Sequence, residues 1–242
     1  MIEFKNISKS YDKKKKAVDD LTLTVNNGEI FGFLGPNGAG KSTTIHMLTG
    51  ILDIDEGDVL LDGRSIKTDA IEAKKLLGYV ADNPDMFIHL KGIEYLNFIA
   101  DIYGVENRKE RIEELTKRFE LYDVLNNRIS SYSHGMRQKM MICGALLSNP
   151  NNWVLDEPMT GLDPRSSYDL KEMMRAHADQ GKTVFFSTHV LDVAEKICDR
   201  VGVINHGKLL FVGTLQEMKE TFSEDTSLEQ LFLEITEHDE AD

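Results

Sequence analysis

Gly35-Pro36-Asn37-Gly38-Ala39-Gly40-Lys41-Ser42-Thr43 is the stretch from which the rest of this chain can be read. Its spacing is G-x-x-x-x-G-K-[ST], the loop that cradles phosphates between a strand and a helix. Both flanks suit that setting. Ile30, Phe31, Phe33 and Leu34 form a short apolar run that predicts a buried strand, and Thr44 to Thr49 carry apolar residues at helical spacing, closed by Gly50. Glycines let the loop turn its N–H groups towards one point, and the helix start adds positive partial charge there. Lys41 is placed to reach the outer phosphates of a nucleotide, and the Ser42 hydroxyl to hold Mg²⁺.

Upstream of the loop, Ile2 to Ile7 and Leu21 to Val25 alternate as strands, with Lys13 to Lys16 as a solvated turn between them and Asn26-Asn27-Gly28 as a second turn. They predict a small antiparallel sheet, which a hairpin around Val59-Leu60-Leu61 joins. A helix over 70–77 and a strand over Leu77 to Ala81 follow. From Pro84 to about Pro150 the strand signal gives way to helical patterns at 92–103, 107–121 and 135–148, so 83–150 reads as a helical subdomain inserted into an α/β core of 1–82 and 151–213. Strand and helix then alternate again: Trp153-Val154-Leu155, a helix after Pro164, Thr183 to Phe186, a helix over 190–197, and Val201 to Ile204. This order predicts a mostly parallel sheet with helices on both faces. The segment 214–242 reads as a helical tail with two short amphipathic patterns and an acidic end.

The 242 residues suffice for one large core with an inserted subdomain. A net charge of −13 argues against a broad basic face for nucleic acid, yet leaves room for a local phosphate nest, because distant carboxylates are screened within about 8–10 Å. Cys143 and Cys198 have neither pairing nor metal-ligand spacing and read as buried thiols of a reducing compartment. The first residues alternate like a strand rather than a targeting segment, and the longest apolar run, Met140 to Leu147, is far short of the roughly 20 residues that span a bilayer. The expectation is a soluble, cytoplasmic chain.

Two further stretches carry chemistry. In Trp153-Val154-Leu155-Asp156-Glu157-Pro158 an apolar strand delivers adjacent carboxylates at its C-terminal end, where open α/β sheets bind ligands. Asp156 suits a Mg²⁺ shell, and Glu157 suits a general base that activates water. In Ser131-Tyr132-Ser133-His134-Gly135-Met136-Arg137, Ser133 is a helix N-cap and Gly135 lets a phosphate come close to that helix start.

With these three stretches in this order, the chain resembles the ATP-binding subunits of ABC transporters, whose fold is a P-loop NTPase (RecA-like) α/β core with an N-terminal antiparallel β-subdomain and an inserted α-helical subdomain. Tyr132-Ser133-His134-Gly135-Met136 is similar to a variant of their L-S-G-G-Q signature. The resemblance implies that Ser133, Gly135 and Met136 cap the γ-phosphate of ATP held by a second copy. Thr160-Gly161-Leu162-Asp163 resembles the D-loop, whose Asp163 would face the partner's phosphate loop. Ser187-Thr188-His189 resembles the switch loop, with His189 on the γ-phosphate, and Tyr11 matches the aromatic that stacks on adenine.

The chain departs from that pattern in two places. Asp82 stands where the family has a glutamine; it keeps acceptor oxygens for Mg²⁺ but is shorter, negative and without a donor. His134 and Met136 replace signature positions, in a form common among bacterial export systems, which the tail around Ser227 to Thr236 also resembles. The implied protein is an ATPase that closes as a dimer on two ATP–Mg²⁺ and drives a separate membrane subunit, in the export direction, from the inner face of the cell membrane. Met86, Phe87 and Ile88 would floor the groove for that subunit. The alternative is a soluble ABC-type ATPase with a non-transport macromolecular partner; ribosomal forms carry two cores per chain and DNA-organising forms a long coiled coil, and neither is visible in this sequence.

Overall fold

The computed structural model describes residues 1–11, 15–85 and 87–222. Expectations for Lys13, Lys14, Met86 and the second tail helix lie outside the described residues.

The N-terminal strands β1 (Ile2–Ser10) and β2 (Lys16–Val25) pair antiparallel. The chain then enters β3 (Ile30–Leu34), runs through the phosphate loop into α1 (Lys41–Thr49), and returns to the first sheet as β4 (Glu56–Leu61) and β5 (Arg64–Ser65), giving the order β2-β1-β4-β5. Helix α2 (Ala70–Lys75) leads to β6 (Leu77–Val80). Three helices follow without an intervening strand: α3 (Gly92–Tyr103), α4 (Arg108–Arg118) and α5 (His134–Leu147). The α/β alternation resumes with β7 (Asn152–Leu155), α6 (Pro164–Asp179), β8 (Thr183–Thr188), α7 (Leu191–Ile197), β9 (Arg200–Asn205), β10 (Lys208–Gly213) and α8 (Leu215–Phe222).

The second sheet has the order β10-β9-β3-β8-β7-β6, parallel except for the β9–β10 hairpin. Its central strands β3, β7 and β8 are buried at every position, as strands covered on both faces must be. Phe185 on β8 is where the two sheets meet: its ring lies 5.9 Å from Phe4, 5.9 Å from Phe31 and 5.4 Å from Phe33. Each such fully buried ring adds roughly 1.5–3 kcal/mol of transfer energy, so this cluster holds the antiparallel sheet against the nucleotide core. On the opposite face, Trp153, Leu155 and Phe186 join the cluster formed by the three inserted helices and α6.

Several predicted boundaries differ. Strands β1 and β2 run beyond Ile2–Ile7 and Leu21–Val25, taking Lys16 out of the expected turn, α2 ends at Lys75 rather than 77, and the helix expected over 107–121 stops at Arg118. Glu120 adopts a left-handed φ of 58°, and the Leu121 N–H donates back to the Thr116 carbonyl, a Schellman-type stop that carries Glu where Gly is usual. In the tail, α8 docks through Met218 onto Leu34, Ala194, Val201 and Val203.

Candidate active site

The parallel register puts four strand ends on one edge. Leu34 is level with Thr188, Leu155 with Phe186, and Val80 with Leu155, so the loops after β3, β6, β7 and β8 emerge side by side. Those loops carry Lys41, Asp82, Asp156 with Glu157, and His189.

The loop after β3 depends on glycine. Gly40 caps α1 with φ 111°, and a Cβ there would lie 2.6 Å from the Ala17 carbonyl oxygen; one at Gly35 would lie 2.5 Å from that of Ile204. With glycine at the N-cap, no side chain occupies the first-turn N–H groups of α1, which leaves them directed at an anion. The Lys41 ammonium is folded back over the loop, donating to the carbonyls of Gly35 (2.6 Å) and Pro36 (3.2 Å), with Glu157 Oε1 at 3.7 Å. Burial pulls its pKa down, and the carboxylates of Glu157 and Asp156 oppose that pull.

Asp156 is fully buried. Its Oδ1 accepts from the Ser187 hydroxyl at 2.5 Å, while its Oδ2, equally buried, has no hydrogen-bond partner. Burial raises the Asp156 pKa, the Ser187 and Ser42 hydroxyls oppose the rise, and the charge of Asp82 adds to it. Glu157 follows with φ 46°, in the left-handed region, a backbone cost of order 1–3 kcal/mol for a non-glycine residue. Its N–H donates to Ser187 Oγ (3.0 Å), and its Oε1 lies 3.0 Å from His189 Nδ1. Ser187 thus fixes both carboxylate residues, a role that its place in the switch-loop stretch does not announce; the signal for it is a hydroxyl at the end of an apolar strand, two residues before His189.

Lys41 and Glu157 open onto a pocket of about 410 Å³ lined also by Tyr11, Ala17, Pro36 to Gly38, Gly40, Ser42, Thr43 and Asp82, with Gly35, Ala39, Asp156 and His189 outside its lining. The Tyr11 hydroxyl lies 3.3 Å from Thr43 Oγ1, and the residue is 68% exposed, available to a flat ligand. Ser133, Gly135, Met136 and Asp163 do not line this pocket.

Residues 18–160 match the ABC transporter family. The chain is 35% identical over 227 residues to the ABC transporter ATP-binding protein NatA of Bacillus subtilis (strain 168), covering 91% of this chain and 92% of that protein. Among solved structures, an ATP-binding subunit of an ABC transporter superposes with a TM-score of 0.92 at 31% identity, covering 97% of this chain and 99% of that one. The chain belongs to the ABC transporter ATP-binding family. A dimeric ATP-binding cassette in a post-hydrolysis state, bound to ADP and Pi, superposes with a TM-score of 0.80 at 26% identity over 89% of this chain and 99% of that one. As an ABC ATPase, this chain binds and hydrolyses ATP.

In this ABC ATPase the signature stretch stands apart from the phosphate loop, at the start of α5. Ser133 Oγ accepts from the Met136 N–H at 3.3 Å, the N-cap bond expected of a serine there. Asp163 caps α6, accepting from Ser166 N (2.9 Å) and Ser166 Oγ (2.6 Å), and it also pairs with Lys139 Nζ at 2.9 Å. These bonds, those from Ser166 foremost, hold its carboxyl well below the usual range. Asp82 is exposed at the pocket rim, and its Oδ1 accepts from the Asn83 N–H at 2.7 Å. Phe87, 39% exposed, packs on Tyr95 and Phe98 with ring distances of 5.3 and 5.9 Å. Among the described residues, no helix is long and apolar enough to cross a membrane.

Proposed function

We propose that two copies of this chain close around two ATP–Mg²⁺ and, through that cycle, drive a separate membrane subunit in the export direction from the inner face of the cell membrane. The observation that carries the two-copy reading is the open pocket: residues for adenine, phosphates and attacking water line it, while Ser133, Gly135 and Met136 lie outside it. A second copy supplies them. The ligand set fits Mg²⁺: a hydroxyl at Ser42 and a buried, unpartnered Asp156 Oδ2, with no multi-carboxylate cage among the described residues, as expected of an ion that keeps its waters and shares phosphate oxygens. Ser42 and Asp156 would hold Mg²⁺, which would supply neutralisation of phosphate charge. Glu157 holds and deprotonates the attacking water, His189 orients Glu157 and the γ-phosphate, Lys41 moves from its own loop carbonyls onto the phosphates, and Tyr11 stacks on adenine. Asp82, at the pocket rim, would help hold the ion through a water.

The His134 and Met136 form of the signature supports the export direction, and the exposed face around Phe87 suits a helix of the membrane subunit. Affinity purification of the tagged chain from detergent-solubilised membranes of its own cells tests the transport part. Recovery of an integral membrane protein in fixed ratio is expected; recovery of the chain from the soluble fraction alone contradicts it.

A further inference from the structure

The signature stretch and the D-loop of one chain are built into each other. Gly135 is in such close contact that a Cβ on it would lie 2.7 Å from the Gly161 carbonyl oxygen, and a Cβ on Gly161 would run into the His134 ring. Beside this glycine contact, Lys139, in the second turn of α5, reaches Asp163 at the start of α6, Nζ to Oδ2 at 2.9 Å. Only 14% of the Lys139 side chain is exposed, whereas Asp163 is half exposed. The carboxylate has three donors from its own chain: Ser166 N, Ser166 Oγ and Lys139 Nζ.

We propose that Lys139 is a positioning residue that acts across the dimer: it staples the signature loop to the D-loop, so that the two present Ser133 and Gly135 as one preset block to the ATP of the partner copy. This rests on the two-copy site described above. An ion pair of this kind adds little to stability, so its contribution lies in placement rather than in folding energy. Placement is what a capping half-site needs, since a misplacement on the order of 1 Å costs about 10²-fold in rate. The same bonds set Asp163 itself: held by Ser166 and Lys139 and still half exposed, its carboxylate keeps acceptor capacity and faces the partner in a fixed position.

A cis–trans test separates this role from ordinary structural support. Two differently tagged copies are mixed with ATP, one of them carrying Glu157→Gln, and the mixed dimers are isolated through both tags. Each mixed dimer has one competent site, formed by the phosphate loop and Glu157 of the unsubstituted copy facing the signature loop of the Glu157→Gln copy. Lys139→Met added to the Glu157→Gln copy is expected to lower single-turnover hydrolysis roughly ten- to hundredfold. Added instead to the other copy, it is expected to cost far less. Lys139→Arg, which keeps the pair, should restore most of the rate, and nucleotide affinity of the separate chains should not move. Equal losses in the two arrangements, or a larger loss when the change sits on the copy that carries Glu157, overturn the assignment. If Glu157→Gln chains with Lys139 intact form no ATP-held dimer, the two-copy site itself falls, and the role of Lys139 with it. Lys139→Gln, which leaves an uncharged donor, serves as a milder second variant should Lys139→Met fail to fold.

Discussion

The loop before α1 and the loop before α5 both end at a helix N-terminus, yet they commit their polar groups differently. At α1 the cap is Gly40, which has no side chain, so the first-turn donors stay open to a ligand. The nearby Lys41 ammonium is parked on its own loop carbonyls, and one oxygen of Asp156 is buried without a partner. At α5 the cap is Ser133, whose oxygen accepts from Met136, and the neighbouring Asp163 has its donors within the chain. The first loop is incomplete in itself and is completed by a nucleotide. The second has its cap serine and Asp163 bonded within the chain and so offers a shaped surface; Ser133 Oγ, though an acceptor towards Met136, keeps its O–H to donate outward. In the two-copy site proposed above, one half binds and the other caps.

That division can be broken in graded ways. The largest effect is expected from Glu157→Gln, which removes the base while leaving the binding loop intact. Phosphate release should fall by about 10²–10⁴-fold with ATP affinity of the free chain preserved. Parent-rate hydrolysis would remove Glu157 from its role. Next comes a matched glycine pair. Gly40→Ala forces a Cβ onto the Ala17 carbonyl at φ 111° and should abolish nucleotide binding by the single chain. Gly135→Ala forces one onto the Gly161 carbonyl and should slow hydrolysis about tenfold or more through strain on the order of 1–3 kcal/mol, with single-chain binding unchanged in a fluorescent-nucleotide titration. If Gly135→Ala weakens single-chain binding as Gly40→Ala does, the two halves are not separable. The smallest effect belongs to Tyr11→Ala. Losing the stacking face should weaken ATP binding by about 1–3 kcal/mol while leaving inorganic triphosphate binding alone, which calorimetry with both ligands resolves.

The binding half was legible in the sequence because its chemistry is contiguous. Nine consecutive residues spell the phosphate loop, and Asp156 and Glu157 sit together at the end of an apolar strand. The capping half was legible only as a list of residue types. That Lys139 meets Asp163, and Gly135 meets Gly161, follows from the starts of α5 and α6 converging, which no local spacing encodes. Ser187 stayed hidden for a related reason: its two bonds, to Asp156 Oδ1 and from Glu157 N, cross between neighbouring parallel strands whose register the sequence does not state. The early end of α4 was hidden because glutamate at φ 58° is an uncommon stop, and the spacing beyond it still reads as helical.

If the binding and capping halves come from different copies, ATP must bring two chains together. Size exclusion with light scattering on the Glu157→Gln chain, run with and without ATP and Mg²⁺, measures this directly. The expected mass is that of one chain, 27.4 kDa, without nucleotide and twice that with ATP, reverting when Gly135→Ala is added. A Glu157→Gln chain that binds ATP tightly and still elutes with the mass of a single copy would contradict it.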